Sequence, residues 1–266
     1  MENQTLEGVI RQYITNAQNG MFTSMPARVE NVVNMGEQRV DVQLLVDRVT
    51  PDNGVLAHPP ILSVPLIFPG SMSSQFSFPV RRGDIVLCVF SQRSIDRFKL
   101  GANDRHRPID FRKYSRNDAM AIPGLFSFPS AVNNPDKRTL DHDTNDTVMV
   151  HNIGTGSECE VRLKASGDVI INSPGLVQVN CTTAEINASE SVTIDTPQTT
   201  VTGDMLVQGV FTYVSGMVGS GSTGGATASI TGNVVVSDDV VASGISLVNH
   251  THGGVQSGSS NTDVPN

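Results

Sequence analysis

Apolar residues near the start of the chain recur at helical spacing. The positions that share one face are Leu6, Val9, Ile10, Tyr13 and Ile14. Steps of three and four residues predict a short amphipathic helix, for which Thr5 is a suitable N-cap. Such a helix either packs on its own domain or docks onto a partner.

Alternation of apolar and polar residues follows the helix and predicts strands. The segment RVDVQL at 39–44 alternates strictly, and Gly36 lies in the turn before it. The turn Arg82-Gly83-Asp84 precedes a nearly continuous apolar run, IVLCVF, at 85–90. About five short strands within roughly ninety residues predict a small closed barrel of the oligonucleotide/oligosaccharide-binding (OB) type.

Beyond about Thr147 the pattern becomes regular, with apolar pairs that recur at a stride close to eight residues. Because alternate residues of a strand share a face, both members of a pair point to the same side. Turn-forming segments such as NSPG separate the pairs, and the repeat predicts a β-solenoid rod. The clearest pairs are Val161 and Leu163, Val169 and Ile171, Val177 and Val179, Ala184 and Ile186, and Val192 and Ile194.

The length of the repeat restricts how such a rod closes. Eight residues supply one strand and one turn, whereas a single-chain β-helix usually takes about twenty residues per coil to close three faces. Two closures are open. Either three chains wind about a common threefold axis with the Val and Ile pairs facing it, which is simpler, or one chain uses three repeats per coil.

Charge is distributed unevenly along the chain. Residues 1–164 carry 18 Lys and Arg against 18 Asp and Glu, whereas residues 165–266 carry no base and eight acids, which is the whole net charge of −8. A rod without cations cannot neutralise phosphate, so we expect it to bind neither nucleic acid nor anionic lipid. A basic patch in the front half lacks an aromatic RNA-binding motif, so we expect it to contact solvent or protein. The patch consists of Arg81, Arg82, Arg93, Arg97, Arg105 and Arg107.

The sequence gives little support for an enzyme, since it contains no recognisable catalytic motif. Cys88, Cys159 and Cys181 lack zinc-finger spacing and cannot all pair, so we expect buried thiols. The stretch GSGSTG at 219–224 matches G-x-G-x-x-G, but no Rossmann strand precedes it, and glycine turns explain it better. The chain begins without a secretory signal and has no long apolar run, so we expect synthesis in a cytoplasm and no membrane span.

His250 and His252 form the candidate metal site. On a strand, an H-x-H motif places both imidazoles on one face. If three chains meet at a threefold axis, six imidazoles converge and can satisfy an octahedral ion, which favours iron or nickel over tetrahedral zinc. The metal hypothesis therefore depends on the trimer.

The stretch GNVVVSDDVVASGISLVNHTHGG closely resembles the apex of central baseplate spike proteins of contractile-tailed bacteriophages. The segments FPVRRGDIVLCVFSQRSIDRF and RNDAMAIPGLFS are similar to the N-terminal OB-type domain of the same membrane-piercing family. The resemblance implies an all-β homotrimer, in which an OB-fold barrel precedes an intertwined triple-stranded β-helix with a metal-bound apex. It also implies that His250 and His252 are metal ligands, with one iron ion per trimer coordinated by six histidines from three chains. Ser246 to Val248 would be the last strand before the tip.

By this resemblance we expect a docking helix at 1–20, an OB-fold domain and linker at 21–146, a trimeric β-helix at 147–245 and an apex at 246–266. The expected function is a non-enzymatic spike in the virion baseplate that pierces the host outer membrane during sheath contraction. Its N-terminal region would contact tail-tube and baseplate-hub proteins, without nucleic acid. A lysozyme domain does not fit between Phe128 and Thr147. The alternatives are a spike of a contractile secretion or bacteriocin system and, with less support, a receptor-binding tail fibre.

Overall fold

A computed structural model of the protein describes residues 5–50, 52–221, 226–254, 256 and 258. The chain divides into two compact units, Met1–Thr183 and Ala184–Asn266. The predicted glycine stretch at 219–224 extends into residues outside the described ranges.

The first unit begins with the predicted helix, α1 (Leu6–Asn19). The Thr5 hydroxyl accepts a hydrogen bond from the Gly8 N–H at 3.2 Å, which confirms the predicted cap. No residue of α1 is buried, and Leu6 and Tyr13 on its apolar face are about three-quarters exposed. Of the two alternatives, the structure therefore does not show α1 packed on its own domain.

A five-stranded antiparallel sheet forms the barrel of the first unit, in the order β5-β2-β1-β6-β7. A parallel bridge joins Leu66, after β5, to Ala121 in β7, and the Ile67 N–H donates to the Ala121 carbonyl at 2.8 Å. This bridge connects the two edges and curls the sheet into the predicted OB-like barrel. The elements of this region are β1 (Ser24–Asn34), β2 (Arg39–Leu44), β3 (Arg48–Val49), β4 (Val55–Leu56), β5 (Ile61–Pro65), β6 (Ile85–Phe90), α2 (Asp96–Lys99) and β7 (Ala119–Pro123).

The barrel core follows directly from the alternation in the sequence. Every second residue of β2, namely Val40, Val42 and Leu44, is fully buried, and Val86 and Cys88 alternate in the same way on β6. Burial raises the pKa of the Cys88 thiol to about 12, so this cysteine is an inert core residue, as predicted.

A second, three-stranded antiparallel sheet lies after the barrel in the same unit. It consists of β8 (Thr147–His151), β9 (Cys159–Leu163) and β10 (Val169–Asn172), with β9 in the centre. Two of the predicted apolar pairs lie on β9 and β10, and their side chains are exposed. The opposite face of β9 is buried and carries Glu160 and Arg162. The polarity of this sheet is thus the reverse of that of an ordinary half-buried sheet.

Residues after β10 run as extended chain. Across the described residues 173–221 and 226–240 no strand is assigned, and the Val and Ile of the predicted pairs are exposed. Cys181 is exposed and Cys159 is half-buried, so the prediction of buried thiols is wrong for both as seen in a single chain. Cys181 lies in the extended segment, where the chain offers it no packing partner.

The second unit contains a small hairpin of β11 (Val241–Ala242) and β12 (Ile245–Ser246). Ser243 and Gly244 between them both have positive φ, 51° and 81°, as a two-residue hairpin turn requires. The prediction of a last strand from Ser246 to Val248 is wrong, because β12 ends at Ser246 and residues 247–249 form a turn. The Leu247 N–H donates to the Val240 carbonyl at 2.9 Å and starts this turn.

Candidate functional site

His250 and His252, the predicted ligands, lie side by side on the surface of the second unit. Their ring centroids are 5.0 Å apart, with the ring planes at 78°, and both side chains are exposed. They follow the turn at 247–249 and do not lie on a strand. The two imidazoles are thus adjacent, but the predicted strand geometry of the H-x-H motif is wrong, because the pair follows a turn.

The hydrogen bond of His250 defines its tautomer. The Nδ1 atom lies 2.8 Å from the backbone carbonyl oxygen of Ser246. A carbonyl oxygen only accepts, so in the neutral ring Nδ1 carries the proton and Nε2 keeps its lone pair. An imidazole oriented by a carbonyl through one nitrogen is a usual metal ligand through the other.

The turn that carries His250 is held by side chains on both sides of the hairpin. The Asp239 carboxylate accepts the Val248 N–H at 3.1 Å, and the Ser246 hydroxyl oxygen accepts the Asn249 N–H at 2.7 Å. A hydrogen bond from the Ser246 hydroxyl, followed by backbone N–H groups, lowers the pKa of the Asp239 carboxyl. Sequence reasoning missed both residues, although SDD immediately before a short hairpin is a turn signal.

The metal-donor set among the described residues is incomplete. Within the described ranges no three His, Cys, Asp or Glu side chains lie close enough together to hold a metal ion. Two neutral imidazoles fit a transition metal chemically, but they fill only part of a tetrahedral or octahedral shell. A stable site at this position requires further ligands beyond these two side chains.

The exposed face of the three-stranded sheet is a candidate interaction surface, which we call the apolar sheet face. Met149, Val161 and Ile171 lie opposite one another on β8, β9 and β10, with exposed fractions of 60%, 40% and 60%. Phe76 and Phe78 from the barrel line a cleft of about 630 Å³ beside them. The face offers a broad hydrophobic surface without a charged side chain at its centre.

The back of the same sheet is closed by an ion network. Arg162 is buried, with its Nε 3.3 Å from Glu160 Oε1 and its Nη1 3.8 Å from Asp146 Oδ2. Asn172 on β10 donates to Glu160 Oε1 at 3.0 Å, which connects the network across the sheet. Because these charges are paired and sequestered, the back face is not available for a partner.

Three of the six arginines of the predicted basic patch come together. Arg93, Arg97 and Arg107 line a cavity of about 550 Å³ with the exposed Phe111. Arg81, Arg82 and Arg105 do not line this cavity; Arg82 lies near Glu30, at 4.0 Å.

Arg112 forms ion pairs with three aspartates beside this basic cavity. Its guanidinium contacts Asp96 at 2.6 Å, Asp110 at 2.5 Å and the fully buried Asp118 at 2.7 Å. The hydrogen bonds that Arg112 donates to these carboxylates, led by the one to Asp118, raise the pKa of Arg112, and the bond to Asp96 is the main cause that lowers the pKa of Asp96. Asp110, which also lines the cavity, is thus paired with Arg112. No sequence pattern indicates this cluster, because its members are separated by up to 22 residues.

Two family models match the chain, one near each end. Residues 25–124 match the model for the phage protein Gp138 N-terminal domain, a range that spans β1 to β7. Residues 244–266 match the GpV apex motif, which includes His250 and His252. A search of curated proteins found no significant match. None of the helices in the described residues has the length and apolar character needed to cross a membrane.

Proposed function

We propose that this chain, which carries the Gp138 N-terminal domain and the GpV apex motif of phage baseplate spikes, is a trimeric, non-enzymatic membrane-piercing spike. Its position would be the centre of a contractile tail baseplate, and sheath contraction would drive it through the host outer membrane. The observation that carries the proposal is the row of exposed Val and Ile pairs between the two matched regions. Ile186 and Ile194, for example, are 77% and 70% exposed.

Exposed apolar pairs at a fixed stride are best explained by burial between chains. Burial of apolar surface contributes roughly 25 cal/mol per Å². An extended segment also leaves backbone donors and acceptors without strand partners, and a neighbouring strand would satisfy them. The single-chain alternative needs ladders between successive repeats of one chain, whereas the described residues 173–221 and 226–240 form no strand. We therefore favour three chains around one axis.

The apolar sheet face supports the same assembly. Val161 and Leu163 on β9, and Val169 and Ile171 on β10, belong to the same series of pairs as those farther along the chain. A second and third copy of the chain would cover this face with an equally apolar surface. In this interpretation the β-helix begins at β8, whose first residue is the predicted start of the β-helix, residue 147.

The tip would be closed by one iron ion bound to His250 and His252 of all three chains. The chain supplies two imidazoles at this position, and three copies supply six, enough for an octahedral shell. When bound, the ion cross-links three chain ends. Fraying of the last layer would then be restrained where no further strand covers it.

The N-terminal unit would attach the spike to the tail. The exposed apolar face of α1 is suited to a groove on a tail-tube or baseplate-hub protein. The cavity of Arg93, Arg97 and Arg107 provides a second contact, favourable for acidic protein surfaces, and we assign it no nucleic acid. The chain would be made in the host cytoplasm and reside in the virion.

Electron microscopy of contractile tails with a labelled antibody against the chain tests this function. We expect the label at the centre of the baseplate, and a label along peripheral fibres would favour the receptor-binding alternative. Label on particles without DNA-filled heads would favour the secretion or bacteriocin alternative. In parallel, release of reducing sugars from cell-wall glycan by the purified protein would contradict the non-enzymatic role.

A further inference from the structure

We propose that Asp239 and Ser246 are positioning residues that present His250 as an Nε2 ligand within each single chain, before three chains share an ion. The inference rests on the metal-bound apex proposed above. It identifies the residues of this chain that orient the imidazole of His250.

Asp239 connects the two ends of the terminal hairpin. It lies two residues before β11, and its carboxylate accepts the N–H of Val248, two residues after β12. The Leu247 N–H donates to the Val240 carbonyl beside it, at 2.9 Å. The turn at 247–249 is therefore held against residues 239–240, which precede the hairpin, although it has no strand partner of its own.

Ser246 holds the turn next to the histidine. Its hydroxyl oxygen accepts the Asn249 N–H at 2.7 Å. Its carbonyl accepts from both the backbone N–H of His250, at 3.2 Å, and the ring Nδ1 of His250, at 2.8 Å. One residue thus fixes the backbone, the ring orientation and the tautomer of His250.

Fixing the tautomer in advance lowers the entropic cost of metal binding. The Nδ1–H to carbonyl bond leaves only Nε2 free to bind, and ring rotation is already restricted. A ligand that is ordered beforehand loses less conformational freedom on binding. His252 has no such bond among the described residues. Only the ring of His250 is therefore oriented in advance of metal binding.

Iron retention and imidazole tautomer, measured in the full-length trimer, test the inference. We expect Asp239→Ala to lose iron to a competing chelator at a chelator concentration about ten- to a hundredfold lower than the wild type, the usual range for an outer-shell partner. Histidine ¹⁵N chemical shifts of metal-free protein should show one Nδ1–H ring in the wild type and mixed tautomers in Asp239→Ala. Asp239→Asn keeps an acceptor oxygen for the Val248 N–H and should restore most of both properties.

Asp238→Ala is the matched control, because Asp238 has the same charge one position away and makes none of these contacts. Equal iron retention and an unchanged tautomer in Asp239→Ala would overturn the inference while the wild type still holds iron. If the wild type itself binds no metal, the proposed apex fails and not merely its positioning residues. Ser246→Ala, which removes the hydroxyl oxygen that accepts the Asn249 N–H, provides the same comparison if Asp239→Ala does not fold.

Discussion

Ile171 lies directly opposite Val161 in the antiparallel pairing of β10 with β9, and both side chains are exposed. On the reverse side of β9 the charged Arg162 and Glu160 are buried. A sheet normally directs its apolar face to the core and its charged face to water. This reversed arrangement is explained if the apolar sheet face becomes the inside of an assembly.

Substitution Ile171→Asp should therefore weaken the trimer while leaving the single chain folded. Ile171 is 60% exposed, so we expect its replacement to change the stability of one chain by less than about 1 kcal/mol. In the assembly a buried, unpaired carboxylate would be strongly unfavourable. Light scattering after size exclusion measures the mass. Ser157→Asp, at an exposed loop position, is the control, and an unchanged trimer in Ile171→Asp would contradict the assigned interface.

The reactivity of Cys181 tests whether one face of the extended segment is covered in the native assembly. It continues the alternation of Val177 and Val179, so it shares their face, and it is exposed in the single chain. If that face points to the trimer axis, a thiol reagent should label Cys181 slowly in the native protein and rapidly after unfolding. Mass spectrometry of labelled peptides distinguishes it from Cys88, which is buried in the barrel. Rapid labelling of Cys181 in native protein would show that this face is open.

Arg112→Ala should destabilise the barrel domain by about 3 kcal/mol, the lower end of the range for breaking a buried pair. Its removal leaves Asp118, which is fully buried, without a cationic partner. Chemical denaturation followed by circular dichroism measures the change. Arg112→Lys keeps the charge but cannot engage three carboxylates, so its stability should lie between the two.

The same cluster predicts the direction of a pH effect. The pKa of Asp96 is lower in the folded chain than its ordinary value of 3.8, chiefly because of the hydrogen bond from Arg112. This contribution to stability is present above the ordinary pKa and is lost as the pH falls through the lower, folded value. We expect acid to destabilise the wild type more steeply than Arg112→Ala. Equal acid sensitivity would exclude Arg112 as the cause.

The double variant His250→Ala with His252→Ala tests the tip separately from the shaft. We expect it to lose its metal, with the trimer still assembled through the apolar pairs. Hydrogen exchange should become faster in residues 241–252, because their local structure loses its cross-link. Elemental analysis and exchange mass spectrometry measure both effects. Loss of the entire trimer would mean that the apex contributes more to assembly than the proposal assigns.

Local patterns predicted much of the architecture. The spacing of Leu6 and Ile10, the alternation in β2 and the apolar run of β6 each correspond to an observed element, because each depends on neighbours in sequence. The cluster around Arg112 could not be predicted, since it assembles carboxylates from separate segments of the chain. The turn before His250 was also missed. Its geometry depends on hydrogen bonds that Asp239 and Ser246 accept. The H-x-H motif alone is equally compatible with a strand.

The mass of the native assembly, measured together with its iron content, is the decisive test of a trimeric spike with a shared metal. We expect three times the 28.4 kDa of one chain, with about one iron ion for every three chains. A stable monomer would contradict both the shaft and the shared metal site. One zinc ion per chain would contradict the six-histidine apex even if the mass were that of a trimer.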